Sequence, residues 1–175
     1  GNEKVYDLLQ HVLDIARDVV ADHGGHVIDT AGDGILAAFG APKALENASV
    51  QGCAAAHAFR ERLSADAATL KSRFGIAPRF RTGIAGGNAM IAHQADAAIK
   101  VVGDPVNQAA RLQALAGPDE VLLTDSIRRE AEGFVSTTDR GKQSIKGFDT
   151  PVQIHALSKM LEAVTRFEGR ADVGS

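Results

Sequence analysis

The chain has no tryptophan, one cysteine, one tyrosine and only 5% aromatic residues. A lone Cys53 excludes an internal disulfide, which suits a reducing compartment and sets the expectation of a cytoplasmic protein. Excess positive charge is missing too. The formal net charge is -3 and the isoelectric point is near 6.1, which argues against a dedicated nucleic-acid binder. The strand-like runs also lack side chains on which bases could stack. No apolar run approaches the roughly 20 residues of a membrane span, and no signal-peptide pattern opens the sequence.

What remains is a 175-residue chain, 45% hydrophobic and 23% charged, long enough for one well-buried domain and short for two. Its opening twenty residues have a helical period. Val5, Leu8, Leu9, Val12, Leu13, Ala16, Val19 and Val20 fall on one stripe, with Lys4, Asp7, Asp14, Arg17 and Asp18 off it. His23-Gly24-Gly25 supplies a stop. Two strand-like runs follow, His26–Ala31 and residues 35–39, joined by Gly32-Asp33-Gly34 in a hairpin signal. Pro42 is expected to open a second helix over about residues 43–63, followed by a polar loop to Pro78. Two strands are expected around Gly86-Gly87 within residues 80–91, then an alanine-rich connection. A helix over 104–116 has Pro105 in its first turn. A strand (120–124), a short helix (125–132) and one or two closing strands (135–157) complete the pattern. Residues 158–175 read as a loose tail. The alternation predicts an α+β fold over residues 1–157, with helices packed on one open sheet.

Three places carry candidate chemistry. Asp33 is either a turn former or, between two glycines that let phosphate oxygens approach the backbone, a ligand for a hard metal such as Mg2+. Asn107 and Arg111 are four apart and point to the same side of a helix. An amide and a planar guanidinium there could meet a ribose and a phosphate, or could form an ordinary solvated face. Lys146, inside a strand-like run of "GKQSIKGF" and followed by Gly147, could reach an anion or simply stand in solvent.

Together, "GGHVIDTAGDGILAAF", "FRTGIAGGNAMI", "KVVGDPVNQAARLQALAGPDEVLLT" and "RGKQSIKGFDTPVQIHAL" occur in the order and approximate spacing of the class III nucleotidyl cyclase catalytic domain. The chain resembles these adenylate and guanylate cyclases from about Val5 to Leu157. The resemblance implies a ferredoxin-like, palm-like sheet and conversion of ATP or GTP to a 3',5'-cyclic nucleotide and pyrophosphate. It also implies two Mg2+ or Mn2+ ions per site and active sites at the interface of a head-to-tail homodimer. Carried over by position, Asp33 is a metal ligand, Asn107 orients the ribose, Arg111 stabilises charge on the phosphates and Lys146 contacts the terminal phosphates. Asp29 and Lys100 fall where the family reads the base.

Two departures follow. The family's other metal aspartate stands in a first strand before the opening helix, whereas this sequence starts in that helix. Little or no turnover is therefore expected of this chain alone, and the neighbours of that strand would expose unpaired edges. At the base positions, the charges of Asp29 and Lys100 are exchanged relative to the adenylate cyclase pattern, which leaves ATP and GTP both open. A direct Asp29–Lys100 ion pair closing the base site is another reading. So is a catalytically inactive homology domain serving dimerisation or nucleotide sensing.

Overall fold

The computed structural model describes residues 2–31, 34–95 and 99–161. Along the chain run α1 (Asn2–Asp22), β1 (His26–Ala31), β2 (Gly34–Ala38), α2 (Ala48–Ala65), α3 (Ala67–Phe74), β3 (Thr82–Ile84), β4 (Met90–His93), β5 (Ile99–Val102), α4 (Asp104–Leu115), β6 (Val121–Thr124), α5 (Asp125–Glu130), β7 (Val135–Gln143) and β8 (Val152–Met160). The architecture is α+β. It divides into two compact units, one of Gly1–Phe80 and Met90–Val101, the other of Arg81–Ala89 and Val102–Ser175.

The first unit is built on helices. The apolar stripe of α1 buries Leu8, Val12, Ile15, Ala16, Val19 and Val20, and its core is shared with Ala55 and Leu63 of α2 and Leu70 of α3. Two backbone bonds end α1: Gly25 N–H donates to Val20 O at 2.9 Å and Gly24 N–H to Ala21 O at 3.0 Å. Gly24 takes the left-handed conformation this cap requires, with φ of 79°. β1 and β2 pair antiparallel, with a register shift between Val27 and Asp29. Phe39, just past β2, packs against the helical core. A Cβ built on Gly25 would stand 2.5 Å from its ring, and one on Gly52 3.6 Å, so the ring fills space both glycines leave. Phe59 and Phe80 meet edge-on at 5.3 Å between centroids.

Two expectations change in this unit. Helix α2 begins at Ala48 rather than near residue 43, because the stretch after Pro42 is bends and turns and Asn47 is left-handed (φ 55°) at its threshold. The polar stretch expected as a loop contains α3, which a single anchor, Leu70 at 1% exposure, ties to the core. β5 occupies part of the expected alanine-rich connection and pairs with β4.

The second unit is built on a sheet in the order β3-β6-β8-β7. β3 runs parallel to β6, and the other pairs are antiparallel. All four residues of β6 are buried, as expected of a strand covered on both faces. Leu112 and Ala116, from α4 and its C-cap, pack with Leu122, Ile145 and Ile154. α5 starts directly from β6, capped by Thr124, whose hydroxyl accepts from Ile127 N–H. β8 continues to Met160, so the expected boundary after residue 157 falls inside a strand; residues 162–175 lie outside the described residues. Among the described residues the hydrogen-bonded strands fall into the pairs β1–β2 and β4–β5 and this four-stranded sheet.

Candidate active site

Asn107 and Arg111 share one face of α4. Pro105 sits in the first turn of that helix, where its missing N–H costs nothing and its fixed φ suits the start. At about 100° per residue the two side chains stand roughly 40° apart, on the side away from Ala109 and Gln113. Both are exposed, and among the described residues no hydrogen bond or ion pair occupies either. The arrangement offers an amide and a planar donor fork to one ligand, with the helix backed by Leu112, which has no exposed surface.

Lys146 lies in the same unit but not in a strand, contrary to the sequence reading. β7 stops at Gln143, and Lys146-Gly147 form a turn in which Gly147 has φ of 99°. Ile145 plugs the core beneath it. The turn borders a recess of about 320 Å³ lined also by Ser144, Phe148, Asp149 and Thr150, and the lysine is exposed at its mouth.

In the first unit, β1 and β5 both border a recess of about 210 Å³ lined by His26, Val27, Ile28, Pro42 and Ile99. Asp29 and Lys100 are the next residues along those two strands, and both are exposed. Among the described residues no ion pair joins them. Asp33 lies outside the described residues. Among those described, no group of three or more His, Cys, Asp or Glu could hold a metal ion.

The sequence reading missed a charged network around Asp125. Its Oδ1 accepts from His155 Nε2 at 2.8 Å and from Arg128 Nε at 3.3 Å, while Oδ2 lies 3.0 Å from Arg129 Nε. The His155 hydrogen bond, then the two guanidiniums, hold the Asp125 carboxyl below the usual carboxylate range against a partial desolvation. Thirty residues separate Asp125 from His155, so no local spacing could have announced the contact. On α2, the Arg60 guanidinium donates to His57 Nδ1 at 2.9 Å. Burial and that neighbouring charge lower the His57 pKa. Cys53 is wholly enclosed, and burial pushes its thiol up to about 12, which keeps it protonated and unreactive.

The family pattern described as "Adenylate and Guanylate cyclase catalytic domain" matches residues 2–159. The chain is 29% identical over 173 residues to "Adenylate cyclase 1" of Rhizobium meliloti (strain 1021), which covers 95% of this chain and 26% of that protein; it thus spans about a quarter of that relative's length. In fold it is similar to the adenylyl cyclase CyaB from P. aeruginosa, with a TM-score of 0.82 and 24% identity over 90% of this chain and 83% of that one. It is also similar to the guanylyl cyclase Cya2, with a TM-score of 0.85 and 23% identity over 93% and 84% of the two chains. No helix among the described residues is long and apolar enough to cross a membrane.

Proposed function

The chain belongs to the adenylate and guanylate cyclase catalytic-domain family, and from that premise we propose that it closes a nucleoside triphosphate into its 3',5'-cyclic monophosphate. The ribose 3'-oxygen loses its proton and bonds to the α-phosphorus, the bond from that phosphorus to the bridging oxygen breaks, and pyrophosphate leaves. Asn107 holds the ribose in line. The Arg111 guanidinium meets the charge that gathers on the phosphates as they separate, where a positioned donor is worth most. Lys146 draws the terminal phosphates. Asp29 and Lys100 read the base: the carboxylate accepts from guanine N1–H and N2–H2 while the ammonium donates to O6, or the pair meets adenine N6–H2 and N1. In this reading Asp33 holds Mg2+ or Mn2+, which supplies further charge neutralisation at the phosphates when bound. A head-to-tail homodimer completes the site.

The observation that carries the proposal is the exposed Asn107–Arg111 face of α4, whose side chains no hydrogen bond or ion pair among the described residues occupies. The exchanged charges at Asp29 and Lys100 favour one second reading, an inactive homology domain that binds nucleotide or dimerises without turnover. Assays with ATP and with GTP, each with Mg2+ and with Mn2+, on a form extended upstream to carry the first strand and its aspartate, separate the two. Under the cyclase reading Arg111→Ala lowers kcat by about 10²- to 10³-fold, and Asn107→Ala and Asp33→Ala lower it as well. Activity that survives these substitutions removes the mechanism, and nucleotide binding without product from either substrate establishes the second reading.

A further inference from the structure

The face of α4 opposite Asn107 and Arg111 presses on β3 at Gly83. A Cβ built on Gly83 would stand 2.2 Å from the carbonyl oxygen of Ala109, 2.5 Å from the amide nitrogen of Gln113 and 2.8 Å from Cβ of Leu112. Two of these three atoms are helix backbone, so no side-chain rotation relieves the contact. Hydrogen present in place of a methyl group therefore sets how deep the helix lies on the sheet. Gly83 is paired in register with Leu122, which belongs to the cluster holding Leu112 and Ala116. Farther along the same segment, Gly87 (φ 146°) would bring a Cβ to 3.0 Å from Cγ of Pro105, in the first turn of α4. The segment from Gly83 to Gly87 thus touches the helix at its middle and near its start.

We propose that Gly83 is a positioning residue for Asn107 and Arg111: the bare backbone of β3 seats α4 from behind and so fixes how far the amide–guanidinium couple stands out toward its ligand. Any side chain at this position obliges α4 to back away by about 1 Å, from 2.2 Å to the closest approach that carbon and oxygen tolerate. A displacement of that size in an orienting group is enough to cost about 100-fold in rate. The proposal rests on the cyclase reading of Asn107 and Arg111, and the test keeps the two apart.

The test compares crystal structures and kinetics of the parent with Gly83→Ala, Gly87→Ala and Leu157→Ala. Leu157 is 2% exposed on β8, and by strand alternation it lies on the sheet face away from Ile154 and α4, so its truncation loosens the unit without moving the helix. In Gly83→Ala, α4 shifts by about 1 Å and kcat falls by about 100-fold while KM for the nucleotide changes little. In Leu157→Ala, Tm falls at least as far and kcat holds. An unmoved α4, or an equal loss of kcat in both variants, overturns the proposal. Should Gly83→Ala fail to fold, Gly87→Ala, which also strains its own backbone at φ 146°, is read through the helix: a displaced first turn of α4 with kcat lowered about tenfold supports the seat, and an unmoved first turn or an unchanged kcat overturns it. The kinetics are read in the form extended upstream through the first strand; there, Arg111→Ala with full turnover, or a parent without any, defeats the cyclase reading instead, and the displacement of α4 alone then decides the seat.

Discussion

The two units hold their candidate groups in different ways. In the sheet-based unit, Asn107 and Arg111 ride on a twelve-residue helix whose Leu112 packs with Leu122 of β6 and Ile154 of β8. In the helix-based unit, Asp29 and Lys100 stand on two-stranded ladders, an arrangement of marginal stability by itself. The difference teaches where exactness comes from: a side chain is placed as firmly as the layer behind it. Stabilising charge at a reacting phosphate needs fixed geometry, so a guanidinium belongs on a packed helix.

That contrast can be broken first by truncating each core. Leu70→Ala in the first unit and Leu112→Ala in the second each remove a side chain that is 1% or less exposed, and each is expected to cost about 2–5 kcal/mol in urea denaturation. Hydrogen exchange should show lost protection in α1 for the first and in α4 and β6 for the second. Uniform loss throughout the chain in either variant would show that the units do not differ as described. A finer probe is Thr124→Ala, which removes the hydroxyl that accepts from Ile127 N–H at 3.4 Å. It should cost about 1 kcal/mol, with the loss of protection confined to α5.

The smallest expected effect is a pH dependence. Asp125 has a folded pKa below its ordinary value of 3.8, so its contribution is fully present above that value and is lost as pH falls through the folded pKa. Asp125→Asn should flatten the acid limb of the melting curve below pH 4 in the second unit and leave neutral pH as the range of largest loss. An unchanged acid limb would mean that His155 and the arginines do not stabilise the carboxylate.

Much of this was readable along the chain. Helix α1 announces itself by period, and the β1–β2 pairing by two apolar runs around Asp33. For α4, Pro105 in the first turn marks the start. Elements with little apolar content were harder. α3 has one buried residue, and β5 follows an alanine-rich stretch with only Ile99, Val101 and Val102 to suggest a strand. Lys146 was misread because Ile145 and Phe148 give the segment a strand's hydrophobicity, while the positive φ of Gly147 turns the backbone. The couple on α4 was visible through its spacing of four. The Asp125–His155 contact and the Gly83 seat join residues about thirty positions apart, and only the packed structure brings them together.

The ring of Phe39 links the fates of two distant positions. Because it occupies the volume a side chain at residue 25 would need, a lineage that replaces Gly25 must also turn or shrink residue 39. The two positions are therefore expected to drift together, since a change at one alters what the other tolerates.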